Sequence, residues 1–89
     1  MRFTWNAKKA KSNLRKHKVS FDEATTVFAD PLAIDSTDDE HPERRILIGL
    51  SERQGLLLTV FVEMAGDLIR LISARRATSH ERRHYEEGE

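Results

Sequence analysis

The sequence predicts an α+β fold: a short N-terminal strand and two helices, an antiparallel sheet of about three to four meander strands, then a C-terminal helix. Three observations carry that expectation. Helix-capping residues stand at Asn6, Ser20 and Thr78, and Asp30-Pro31 is a stop. Between residues 44 and 74, alternating or continuous apolar runs are divided by turn residues. At 89 residues the chain holds one domain, 1–89, with room for a single modest core.

Each element follows from local chemistry. Phe3 and Trp5 alternate with Arg2 and Thr4, a strand pattern. Asn6 caps a helix over Ala7–His17 whose apolar face is Ala7, Ala10 and Leu14 and whose remainder is largely lysine and arginine. Ser20-Phe-Asp-Glu23 is a capping box that opens a second helix carrying Phe21, Ala24, Val27 and Phe28. A short strand is expected over Leu32–Asp35, then an acidic loop over Ser36–Pro42. Strands follow at Arg44–Ser51, Leu56–Glu63 and Leu68–Ala74, the middle one nearly all apolar and suited to burial on both faces. Thr78-Ser-His-Glu81 is a second capping box, opening a final helix to about Glu87.

Composition narrows the class. Charged residues make up 34% of the chain and apolar ones 38%, which excludes a disordered tail and a membrane protein. There is no cysteine, so disulfides, thiolate zinc sites and cysteine nucleophiles are excluded. The N-terminal residues lack the apolar run of a signal peptide, and a soluble, cytoplasmic domain is expected. The formal net charge of zero hides a segregation. Residues 1–18 hold seven Lys/Arg and no acid, whereas residues 19–43 hold eight acids and no Lys or Arg. Such asymmetry suits a basic face for a polyanion, and equally a solvated helix followed by an acidic loop.

Three constellations bear on chemistry. His80-Glu81-Arg82-Arg83-His84 matches the H-E-x-x-H zinc signature by letter. Its place in the last ten residues of a small domain, with no third ligand in view, argues against a catalytic metal. No metal and no cofactor are expected. Second, Arg70, Arg75 and Arg76 sit in and just past the last strand. By simple alternation Arg70 and Ile72 share one sheet face and Leu71 and Ser73 the other, so Arg75 and Arg76 diverge. These guanidinium groups are either solvated structural charge or bidentate phosphate clamps. Third, Lys16-His17-Lys18 ends the basic helix. Cations there satisfy the helix macrodipole without further function, and His17 is also the side chain suited to carrying a proton near neutral pH.

An ordered set of residues spans nearly the whole chain: Phe3-x-Trp5-Asn6-x2-Lys9-x3-Asn13-x2-Lys16-His17-x-Val19-Ser20-Phe21-Asp22-Glu23-Ala24, Val27-Phe28-x-Asp30-Pro31, Glu43-Arg44, Ile48-Gly49-x-Ser51, Ile69-Arg70-x-Ile72-Ser73-Ala74-Arg75-x-Ala77 and Glu81-Arg82-x2-Tyr85. This set resembles the BrnT family of bacterial type II toxins. The resemblance implies a RelE-like fold and a ribonuclease toxin that cleaves RNA without a metal and inhibits translation. It also implies a BrnA-like ribbon-helix-helix antitoxin as partner, with operator DNA bound only through that complex and no membrane association. The alternative is a non-catalytic antitoxin-binding partner and co-repressor. Carried onto this chain, the catalytic candidates are Arg75 as main phosphate clamp, Arg70 and Arg76 in support, and His17 or Lys16 as proton carrier. Lys9, Arg82, Glu81 and Tyr85 are the RNA-binding candidates. The chain departs from the family pattern at Asn6 (usually Asp), at Lys18 (usually Gly) and at Arg53-Gln54-Gly55, where a Gly-Arg pair is usual.

Overall fold

The computed structural model describes residues 1–88. Along the chain run β1 (Arg2–Thr4), α1 (Ala7–His17), α2 (Phe21–Thr26) with a 3₁₀ turn at Val27–Ala29, β2 (Ile34–Thr37), β3 (Arg45–Leu50), β4 (Leu56–Met64), β5 (Leu68–Arg76) and α3 (Ser79–Glu87). All five strands form one sheet in the order β1-β5-β4-β3-β2. Strands β2 to β5 are the expected antiparallel meander, and β1 adds to the same sheet in parallel with β5, pairing Phe3 with Ile69.

The helices begin where their caps stand. Asn6 accepts from the Lys9 N–H at 3.1 Å, and Ser20 Oγ accepts from the Glu23 N–H at 3.0 Å. Only half of the Ser20 capping box forms. The Glu23 carboxylate instead accepts the Ser51 hydroxyl at 2.7 Å, tying α2 to the turn after β3. The Thr78 box is complete, with Glu81 accepting from the Thr78 N–H at 2.9 Å while Thr78 Oγ1 caps the Glu81 N–H. Lys18 ends α1 in the left-handed region, φ 60°, ψ 28°, the conformation glycine adopts without strain. Strand β2 starts two residues later than expected because Asp30 holds Pro31–Ala33 in a turn, its side chain accepting the Leu32 N–H at 2.9 Å.

Both faces of the sheet bury apolar side chains, unequally. Helices α1 and α2 cover one face, where Val19, Phe21, Ala24 and Val27 pack against Leu47, Leu57, Phe61 and Leu71. Each of these valine, leucine and phenylalanine side chains contributes about 1.5–3 kcal/mol on full burial. Phe3, Phe28 and Phe61 stack edge to face in series, and Trp5 meets Phe21 the same way, so these aromatics belong to the core. Gly49 lets the 3₁₀ turn lie on β3, since a Cβ there would come 2.8 Å from Val27 Cγ1 and 2.9 Å from Ala33 Cβ. On the other face Ile48, Leu56 and Leu58 form a smaller cluster with Ala77 and Tyr85, beneath α3.

Two expectations are corrected. First, the apolar stripe on α1 holds it only in part: Ala10 packs against the core, but Ala7 is exposed, Leu14 is 49% exposed, and the buried side chain of the helix is Asn13. Second, simple alternation fails in β5. Ser73 pairs with Val60 but Leu71 pairs with Phe61, so Ile72 is an extra residue, a β-bulge. Leu71 and Ala74 consequently both enter the helix-side core. The parity flips after the bulge, and Ser73 and Arg75 lie on the same face as Arg70.

Candidate functional site

The site is built from Asn13 outward. Strand β1 stops at Thr4, so the rest of the β5 edge has no strand beside it. Asn13 takes that place: its Nδ2 donates to the Ala74 carbonyl at 2.8 Å and its Oδ1 accepts the Ala74 N–H at 3.1 Å. The same amide donates to the Val19 carbonyl at 3.0 Å, fixing the exit of α1. A neutral primary amide supplies both donor and acceptor, which is what a strand neighbour supplies.

This docking turns one stripe of α1 toward β5. Lys9, Ser12, Asn13, Lys16 and His17, at helical spacing, border a groove of about 250 Å³ with Ile72 and Ser73 on its strand side. The bulge is what presents Ile72 and Ser73 there. Among the described residues, no carboxylate lines the groove. Lys9 and Lys16 are exposed, and His17 is half-buried.

The remaining predicted site residues divide. Arg70 is exposed, pairs with Thr4 and Val62, and sits two residues before the groove floor, roughly 7 Å along the strand. Arg75 shares that face but is held: Nη1 and Nη2 each donate to a Glu81 carboxylate oxygen at 2.9 Å, and Nη1 also donates to the Arg76 carbonyl. The hydrogen bonds with Glu81 push the Arg75 guanidinium above its ordinary value, and the same bonds hold the Glu81 carboxyl below the usual carboxylate range. Glu81 therefore serves Arg75 and the α3 cap at once. Arg76 lies on the opposite face, beside Gly55, away from the groove.

Arg82 is exposed on α3. Tyr85 fixes the far end of that helix, its hydroxyl donating to Asp30 Oδ2 at 2.7 Å. Burial would raise the Asp30 carboxyl, but hydrogen bonds from the Leu50 N–H, the Tyr85 hydroxyl and the Leu32 N–H outweigh it and keep the group below its usual range. The hydrogen bond to Asp30, with burial, pushes the Tyr85 hydroxyl up to about 12. Thus Lys9, Lys16 and His17 share one groove, with Arg70 outside its lining and two residues away along β5, while Arg75, Glu81 and Tyr85 attach α3. Asn13 was missed as the organiser of the groove; its signal was a poor helix former in the middle of a helix.

The fold defines the class: a small α+β domain with a mixed sheet, two helices on one face and one on the other. It matches the 1.1 Å crystal structure of the ribonuclease toxin BrnT of Brucella abortus with a TM-score of 0.73 and 20% identity, covering 89% of this chain and 99% of that one. No curated protein sequence matches the chain. The family model for the ribonuclease toxin BrnT of type II toxin–antitoxin systems matches residues 5–81. The chain belongs to this family of ribonuclease toxins, and a type II toxin implies an antitoxin partner.

Proposed function

We propose that the chain is a metal-independent endoribonuclease whose groove between α1 and β5 holds the RNA backbone at the scissile phosphate. The observation that carries this reading is the meeting of Lys9, Lys16 and His17 with Ser73 in one groove lined by no carboxylate among the described residues. Cleavage is attack of a ribose 2′-OH on the adjacent phosphorus. His17 takes the proton of the 2′-OH, and Lys16, as an ammonium, gives one to the departing 5′ oxygen. The products are a 2′,3′-cyclic phosphate and a 5′-hydroxyl end. Lys9 and Arg70 offset the charge that builds on the non-bridging oxygens. Arg75 is a positioning residue in this scheme, since its guanidinium holds Glu81 and through it α3. Arg76, Arg82 and Tyr85 lie outside the reacting centre.

The partner in this reading is a BrnA-like ribbon-helix-helix antitoxin, through which alone operator DNA is bound. Incubation of the purified chain with RNA in excess EDTA tests the enzyme reading. Cleavage to cyclic-phosphate ends supports it; chelator-sensitive cleavage, or ends bearing a 5′-phosphate, contradicts it. A second reading, a non-catalytic antitoxin partner and co-repressor, is favoured by the engagement of Arg75 with Glu81. It requires tight antitoxin binding with no RNA cleavage under any condition.

A further inference from the structure

A second cavity lies on the other face of the sheet from Ser73 and Arg70, where α1 and α2 leave the helix-side core uncovered. Phe28, Ala33, Leu47, Phe61 and Ile69 form its apolar wall, and its volume is about 270 Å³. Its rim is acidic, with Asp30, Asp35 and Glu63 all on the lining. Arg45 bridges Asp35 at 2.6 Å and Glu63 at 3.1 Å, which offsets one of those two charges and fixes both carboxylates at the opening. Beside it, β2 ends at Thr37, the register partner of Arg45, and the chain enters Asp38, Asp39 and Glu40. Phe28, Asp30, Ala33 and Asp35 of its lining come from the segment that has eight acids and no Lys or Arg. Met1 also lines it, but its ammonium is paired with Asp67 at 2.9 Å, so the rim remains net negative.

From this combination we infer that the cavity is the anchor point for the antitoxin: it takes one bulky apolar side chain from a segment whose neighbouring residues are Lys or Arg. The inference rests on the toxin–antitoxin reading proposed above and adds where, and by what chemistry, the partner holds the toxin. Three physical points support this occupant. The volume lies below the range of about 300–1,000 Å³ common for small-molecule sites, but above the roughly 150 Å³ that accepts a benzene ring. The space therefore matches a side chain better than a metabolite. The carboxylate rim repels RNA and attracts a basic chain, as expected of a protein that also holds operator DNA. A single buried anchor surrounded by a charged rim is the usual arrangement of binding energy at a protein interface. The cavity shares no lining residue with the Lys16–His17 groove, so an antitoxin anchored there keeps other parts free to reach the RNA groove.

The test measures affinity for the cognate antitoxin by calorimetry, using the full chain and two variants. Ala33→Trp fills the cavity; Glu63→Lys reverses one rim charge at an exposed side chain and breaks its ion pair with Arg45, which keeps its bond to Asp35. Thermal melting establishes that each variant is folded, and RNA cleavage is measured in parallel. The expected result is at least a tenfold weaker complex for Ala33→Trp and a severalfold weaker one for Glu63→Lys, with cleavage by the free toxin unchanged. A Lys9→Ala variant keeps the affinity within twofold. Tight binding that survives both cavity variants overturns the inference and leaves the toxin–antitoxin reading standing. Absence of binding by the unmodified chain overturns both. Self-association of the free toxin that Ala33→Trp abolishes, with antitoxin affinity unaffected, assigns the cavity to a second copy and overturns it as well.

Discussion

Helices α1 and α3 are nearly equal in length, 11 and 9 residues, yet they are attached to the sheet by opposite means. Helix α1 is held by the buried, neutral amide of Asn13, which occupies both backbone groups of Ala74 and the carbonyl of Val19. Helix α3 buries no residue, and its two polar attachments, Arg75–Glu81 and Tyr85–Asp30, are ionisable and partly solvated. The difference teaches which part of the molecule is rigid. The groove depends on α1, whose polar anchor does not titrate; α3 rests on the apolar contact of Tyr85 and on charges that pH and salt can alter.

The sharpest way to break this contrast is at Asn13. In Asn13→Leu the Ala74 N–H and C=O and the Val19 carbonyl lose their partners in a buried setting. At about 1 kcal/mol for each bond, the expected loss is about 3 kcal/mol, read by urea or thermal unfolding. A loss under about 1 kcal/mol would place the anchoring of α1 elsewhere.

The next effect concerns α3. A double-mutant cycle of Arg75→Ala and Glu81→Ala is expected to give a coupling of about 1 kcal/mol, since the pair is bidentate but partly exposed. Either single variant should lower RNA cleavage by a similar, modest factor. A loss in Arg75→Ala far exceeding that in Glu81→Ala would instead give Arg75 direct contact with phosphate.

The attachments of α3 also set its response to pH. The Asp30 and Glu81 carboxyls lie below their ordinary values in the folded chain. Their contribution is therefore present above the unfolded range near pH 4 and is lost as pH falls through the lower folded values. Tyr85 is raised to about 12, so its contribution is complete below the unfolded value near pH 10 and is lost as pH rises through about 12. Tyr85 is the one tyrosine of the chain, so its phenolate absorbance reads this step directly. The expected midpoint falls back toward 10 in Asp30→Asn, while NMR signals of α1 around Asn13 stay unchanged across both transitions of α3.

The smallest effect is at the end of α1. Lys18 sits at φ 60°, and Lys18→Gly relieves left-handed strain, for an expected gain of about 1 kcal/mol in thermal stability. Removing this lysine leaves the groove lining intact, so cleavage is expected to persist.

Much of the fold was legible because its signals are local. Asn6, Ser20 and Thr78 cap the helices they precede, Asp30-Pro31 stops the second, and the apolar runs of β3 and β4 read as strands on their own. The arrangement of the site was less so, for reasons that are physical. A bulge at Ile72 is a two-against-one pairing between strands, invisible along one strand, and it reverses which arginine shares a face with Arg70. Asn13 reads as a solvated polar residue until a strand edge is brought against it. Glu81 was legible as a capping residue, but its simultaneous grip on Arg75 depends on the turn between β5 and α3. The basic stripe Lys9–Lys16–His17 survives all of this, because helical spacing alone keeps it together.

The central claim, that this stripe and the bulged strand form the RNA-cleaving groove, is tested most directly by single-turnover cleavage in EDTA for His17→Ala and Lys16→Ala beside Arg76→Ala. The account predicts a fall of roughly 10²–10⁴-fold for His17→Ala, a comparable fall for Lys16→Ala, and little change for Arg76→Ala, all at unchanged melting temperature. Full cleavage by the folded His17→Ala and Lys16→Ala proteins, with loss of cleavage in Arg76→Ala, would contradict it and move the reacting phosphate to the opposite face of the sheet.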